Sequence, residues 1–263
     1  MISDVLREPL LKKLDVDSAE RIQVHRAILE SKPLMKEVCR EMYSMCARLD
    51  EAHFSGDGRR IELGAGVSFI KDFFSNVQVT DIVPASHLDF VLDAQNMESV
   101  QDNSVRTFFG IHCFHHFPEP RKFFKELMRT LKPGGGCVLI DPYFGPLSRI
   151  IYPRLFASEK FDMSQATWET PTGGAMSEAN QALSYVVLFR DRQIFEREFP
   201  SLKVVHSDQL SNYPRYVLSG GLNFRSLVPS FAAPLLKGIE WSLSPARKWL
   251  ALHHVIVIKK LAE

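Results

Sequence analysis

The stretch that decides the fold is RRIELGAGVSFI, Arg59 to Ile70. A short apolar run holds an acid, Glu62, just ahead of two glycines with one alanine between them. Such a strand-to-helix turn, with a helix expected after it, lets backbone approach a ligand closely at the carboxyl end of a strand in an open α/β sheet. A dinucleotide fingerprint would need a third glycine where this chain has Phe69, and a Walker loop would end in Gly-Lys-Ser/Thr. Neither pattern is met, which disfavours a phosphate cradle and with it a nucleotide-dependent oxidoreductase. Ser68 stands where a further glycine is often found.

Working outward, short apolar runs recur at strand length: Ile61–Leu63, Val77–Thr80, Leu88–Leu92, Val105–Ile111 and Cys137–Ile140. Two more are expected at Leu202–His206 and Val255–Ile258. Between the fourth and fifth runs, Phe123, Phe124, Leu127, Met128 and Leu131 fall on one helical face, and Pro133 with Gly134–Gly136 is read as its stop. Alternating strands and helices predict a Rossmann-like, seven-stranded, mostly parallel sheet with helices on both faces. Thr80 and Leu88 stand too close for a crossover helix. Residues 1–50 read as an N-terminal helical segment that could cover the face left bare. Asp17 with Glu20 and Ser31 before Pro33 are its expected helix starts.

Three acids describe the ligand. Glu62, beside the glycines, suits a cationic ammonium. Asp81, ending the second strand, can accept from ribose hydroxyls. Asp93, followed by Ala94, can accept from an exocyclic adenine amine. Ammonium, ribose and adenine together describe S-adenosylmethionine (SAM).

IELGAGVS, the acid in VTDIVP, LDAQNMESVQDNSV, GIHCFHHFPEP and ELMRTLKPGGGCVLIDP occur in this order over about residues 59 to 142. In this the sequence resembles the class I SAM-dependent methyltransferases of the small-molecule type, like methyltransferase domain 11. The resemblance implies that Glu62, Gly64, Ala65, Gly66, Asp81, Asp93, Ala94 and Ile111 bind SAM. It also implies transfer of a methyl group to a small-molecule or lipid-like acceptor, with oxygen the expected atom. A SAM-binding partner or regulatory protein without turnover is the alternative.

For the chemistry, His112 is the first candidate, as a base or as a group that orients the acceptor. Asp141 and Tyr143 are further acceptor-pocket candidates. His115 and His116 have no carboxylate or cysteine at ligand spacing beside them, so no metal site is expected. Asp141-Pro142-Tyr143-Phe144 resembles the (D/N)PP(Y/F) motif of nucleobase methyltransferases but lacks its second proline and follows the fifth strand instead of the fourth. With a net charge of +1 and no basic runs, nucleic acid is not an expected partner.

Residues 51–263 are read as the methyltransferase domain, with a lid-like segment near 142–184 and an insert near 207–253. From 222 to 252 the insert interleaves apolar and basic residues with Trp241 and Trp249, opposed only by Glu240. A lid, a peripheral contact with an anionic membrane and an interface are its three open uses. The four cysteines form no CxxC or zinc pattern, and neither a signal segment nor a membrane span is visible, so a cytoplasmic protein is expected.

Overall fold

The computed structural model describes residues 6–12, 14, 20–156, 159–171 and 178–262. Seven strands form one sheet: β1 (Arg59–Leu63), β2 (Val77–Asp81), β3 (Phe90–Val91), β4 (Val105–Ile111), β5 (Leu131–Pro142), β6 (Leu202–Gln209) and β7 (His253–Lys260). Their spatial order is β3-β2-β1-β4-β5-β7-β6. β1 to β5 pair in parallel, and β7 runs antiparallel between β5 and β6. The chain departs from β1 toward β2 on one side and returns at β4 on the other. Between β1 and β4 lies the crevice where open sheets of this kind hold ligands.

β4 shows why an almost continuous apolar run was needed. Residues 105–110 are all buried, because helices cover both faces. On one face, helix α3 (Pro120–Thr130) presents Phe123, Phe124 and Leu127, each with no exposed surface. Full burial of such side chains is worth about 2 kcal/mol apiece. Phe124 meets Phe195 and Phe199 at ring-centroid distances of 4.9 and 5.2 Å. This helix ends at Thr130, earlier than expected: Leu131 already pairs with Val105, and Pro133–Gly136 lie inside β5.

The other face lacks its usual cover. One 3-10 turn, Ile70–Asp72, is the only regular helical element between β1 and β2, where the glycine turn led us to expect a helix. No helix joins β2 to β3. Helix α2 (Pro33–His53), preceded by α1 (Glu20–Glu30), fills the gap. Its residues Val38, Met42 and Cys46 share one core cluster with Val79, Phe109, Val138 and Val257. Asp50, 1% exposed, anchors its far end by accepting from Arg60 Nε at 2.8 Å, Arg106 Nε at 3.1 Å and the Thr107 hydroxyl. The α2 N-cap is Lys32 and not Ser31, whose hydroxyl instead donates to Ile28 O. Asp17 lies outside the described residues.

Past the sheet's carboxyl edge run α4 (Ser148–Leu155) and, in the insert between β6 and β7, α6 (Tyr213–Ser219) and α7 (Ala233–Leu243); α5 (Arg192–Glu198) leads into β6. β6 and β7 pair as expected, with Val204 opposite Ile258.

Candidate cofactor and acceptor site

The glycine loop is shaped by two different needs. Gly64 has φ +57°, and a Cβ there would lie 2.6 Å from Cys113 Cβ, so the loop packs directly on the segment after β4. Gly66 has φ +53°, but a Cβ would meet nothing within 4 Å: this glycine borders open space. Asp81 fastens the loop. Its Oδ2 accepts from Gly66 N at 2.8 Å, and its Oδ1 accepts from Val83 N at 2.9 Å. Two further acceptor directions of that carboxylate remain.

Ser68 has a structural reason. Its hydroxyl hydrogen-bonds the Tyr43 hydroxyl at 3.0 Å and accepts from Ile70 N at 3.1 Å. The serine therefore ties the loop to α2, the helix that stands in for the missing one. A glycine could not do so.

Glu62 is 2% exposed, and its Oε2 has no hydrogen-bond partner. Burial pushes its carboxyl up to about 8; a hydrogen bond with Ser68 opposes this and the nearby Asp81 charge adds to it. Asp93 closes an Asx turn, accepting from Gln95 N at 2.8 Å. Glu62, Gly64, Ala65, Gly66, Asp81, Asp93, Ala94 and Ile111 all line one cavity of about 630 Å³. That is within the size range of small-molecule sites.

The same cavity continues past β4 to His112, His115, His116, Tyr152, Glu159, Tyr216 and His253. His112 sits at φ +54°, an uncommon conformation for a residue other than glycine, held by its N–H donating to Ile140 O at 2.7 Å. Its Nε2 is buried without a partner, and its ring lies 4.4 Å from that of His253. Burial, reinforced by His115, lowers the imidazole to about 3. At neutral pH His112 is uncharged and offers a hydrogen-bond acceptor, not a strong base.

His115 is its electrostatic opposite. Its Nδ1 lies 2.7 Å from Asp141 Oδ1, and its Nε2 lies 3.4 Å from Glu159 Oε2. Burial alone would lower His115, but the Asp141 and Glu159 carboxylates outweigh it and raise the ring to about 10. Asp141 is itself raised by burial, with His115 opposing. Glu159 is held below its ordinary value by His115 in spite of burial.

Asp141 and Tyr143, expected in the acceptor pocket, do not line the cavity. β5 continues through Pro142 in register with β7, pairing Asp141 with His254. Asp141 therefore stands behind His115, and the Tyr143 ring packs on Phe144 and His254. The wall is supplied instead by His253 and by Tyr152, Glu159 and Tyr216 from the long segments. His115 and His116 occupy a 3-10 turn, Phe114–His116, ahead of α3. Sequence spacing places no carboxylate ligand beside them, but Glu159 approaches from a distant part of the chain, which no local spacing could show.

Residues 65–139 match the family model described as a methyltransferase domain. This part of the chain carries a methyltransferase domain. No curated protein matches the sequence. Among solved structures, the chain is similar to geranyl diphosphate C-methyltransferase from Streptomyces coelicolor A3(2), at 14% identity and TM-score 0.44, over 85% of this chain and 80% of that one. It is also similar to phosphoethanolamine N-methyltransferase 2 from Haemonchus contortus, at 14% identity and TM-score 0.44, over 82% and 53%. The cofactor expected from the sequence is SAM. Two observations fit that group: the orphaned acceptor Glu62 Oε2, and the open space in front of Gly66.

Proposed function

We propose that this methyltransferase transfers the methyl group of SAM to an oxygen of a small, lipid-like acceptor. The observation that carries the reading is a single cavity joining the carboxylates at the ends of β1 to β3 with the buried, unpartnered Nε2 of His112. In this reading Glu62 receives the ammonium, Asp81 the ribose hydroxyls, and Asp93 with Ala94 brackets the adenine. SAM supplies a methyl group on a sulfonium that already carries its own leaving group. The protein's task is then alignment and exclusion of water. His112 accepts a hydrogen bond from the acceptor hydroxyl and points its oxygen toward the methyl group. Being neutral and weakly basic, it orients this proton and takes it only as the new O–CH3 bond makes the oxygen strongly acidic, while S-adenosylhomocysteine leaves as a neutral thioether.

The lipid-like character rests on the insert. α7 buries Leu236 and Glu240 and leaves Leu235 and Trp241 70% and 80% exposed, flanked by exposed Phe231 and Trp249. Apolar surface with tryptophans suits a peripheral contact with a membrane, from which an acceptor could slide under the segments 142–184 and 207–253 acting as a lid. The charge asymmetry seen in the sequence contributes less than expected. Lys237 pairs with Glu37, and Arg247 with Asp208 at 3.0 Å. No described helix is long and apolar enough to cross a membrane.

The test is incubation of the purified protein with labelled SAM and fractionated host extract, water-soluble metabolites kept apart from lipids. Label is expected in the lipid fraction, as a base-stable methyl ether. Label confined to the water-soluble fraction would remove the lipid reading. SAM binding with no label transferred to either fraction would favour the partner without turnover.

A further inference from the structure

The acceptor end of the cavity gathers metal-ligating groups that the methyl transfer described above does not use. His115, His116 and Glu159 bring one ligand atom each within 4.8 Å of one another. They come from the turn after β4 and from the segment after α4, and all three line the cavity. The His115 Nε2 to Glu159 Oε2 separation of 3.4 Å is close to the ~3.3 Å edge of a tetrahedron with bonds of about 2.0–2.1 Å.

A second observation is independent of these three atoms. The remaining ring nitrogen of His115 faces Asp141 Oδ1 at 2.7 Å. A carboxylate there fixes the ring and, once the imidazolium gives up its Nε2 proton to an entering metal ion, keeps the remaining proton on Nδ1, the arrangement that orients histidine ligands in metal sites. Asp141 is fully buried, and its Oδ2 has no partner.

We propose that His115, His116 and Glu159 bind a divalent transition-metal ion, with Asp141 positioning His115. Two imidazoles and one carboxylate suit Zn²⁺, or Fe²⁺ or Mn²⁺, more than Mg²⁺, which prefers oxygen ligands and retained water. Three protein ligands would leave a coordination position open, and the cavity that all three line is also lined by His112. An oxygen of the acceptor is the group it would take, adding a second anchor to the His112 hydrogen bond. Metal binding does not rest on the acceptor reading and can be measured without turnover.

The test uses the full chain after chelation and dialysis, titrated with Zn²⁺ by calorimetry and with Co²⁺ by visible absorption. Wild type is expected to take up one equivalent and to give the intense ligand-field bands of low-coordinate Co²⁺. Glu159→Gln and Asp141→Asn should weaken uptake on the order of 10- to 100-fold, the usual cost of losing a ligand or its orienting partner. His116→Ala should also weaken it. S-adenosylhomocysteine binding of each variant reports that the fold persists. No uptake by wild type, or Glu159→Gln and His116→Ala variants that titrate like wild type while still binding S-adenosylhomocysteine, would overturn the proposal.

Discussion

Glu62→Gln should make the free protein more stable and the cofactor weaker, two effects that an ordinary surface acid would not combine. The carboxyl is raised from the ordinary 4.5 to about 8, chiefly by burial. Between these values the folded protein holds a proton that the unfolded chain has released. Stability therefore falls as pH rises through this window and levels off above the folded value. Each tenfold difference in proton affinity is worth about 1.4 kcal/mol. The penalty is then about 3 kcal/mol by pH 7 and approaches about 5 kcal/mol above pH 8. Glutamine carries no such penalty. With some loss for the disturbed Ser68 contact, the variant should gain about 2 kcal/mol at pH 7, a melting increase of several degrees for a chain of this size. Binding moves the other way. A charged hydrogen bond to the SAM ammonium is worth about 1.5–3 kcal/mol, so affinity should drop on the order of 10- to 100-fold. Wild-type affinity should also rise with pH toward 8, while that of the variant stays flat over the same range. Urea unfolding from pH 5 to 9 and calorimetry with SAM measure both arms. A Glu62→Gln variant that is less stable than wild type at pH 7 and binds SAM equally well would refute the reasoning.

Asp81→Ala should weaken SAM binding by about 1–3 kcal/mol by removing both the ribose acceptor and the Gly66 anchor; unchanged calorimetric affinity in a folded variant would place the ribose elsewhere. His112→Ala should lower single-turnover transfer on the order of 10- to 100-fold with SAM affinity nearly unaltered, and the reverse pattern would put its ring on the cofactor side. Phe124→Ala should cost about 3–5 kcal/mol in urea unfolding, as expected for a cavity under several aromatic rings; a loss below about 1 kcal/mol would mean that the site collapses freely. Replacing Phe231, Leu235 and Trp241 together by serine should abolish sedimentation with lipid vesicles while leaving thermal stability nearly unchanged. Wild-type binding should persist in added salt, since Lys237 and Arg247 are already paired; loss on raising the salt would restore the electrostatic account.

What was legible in the sequence follows physical range. The seven strands could be read because each is an apolar run bounded by turns, and Val105–Ile111 agrees with the structure at both ends. Glu62, Gly64, Gly66, Asp81 and Asp93 could be placed along one edge because a parallel sheet brings its strand ends together. The glycine turn suggested a helix where only one 3-10 turn follows, because the loop alone does not reveal which element covers the sheet behind it. Tyr143 was misplaced because β5 continues through Pro142 into pairing with β7, which fixes alternation beyond the apolar run. Glu159, Tyr216 and His253 were missed for a different reason. They reach the cavity from segments whose path over the sheet is set by packing, and no local spacing encodes it. The basic character of the insert was overstated because Glu37, which lies far outside it in sequence, and Asp208, at its very start, neutralise two of its cations.

The substitution of α2 for a crossover helix has a consequence for how the chain folds. Val38, Met42 and Cys46 belong to the same core as Val255 and Val257, so this layer closes only after most of the chain has been made. During synthesis the apolar stripe of α2 emerges early and waits for its partners. Contacts so distant in sequence slow folding and leave sticky intermediates. Ribosome-bound chains arrested before β7 should accordingly be held by chaperones through α2, and release should coincide with the emergence of Val255–Ile258. Because Tyr43 on that helix also grips Ser68, the SAM pocket should gain its floor at the same late step, and ligand affinity should appear only once the C-terminal strand is in place.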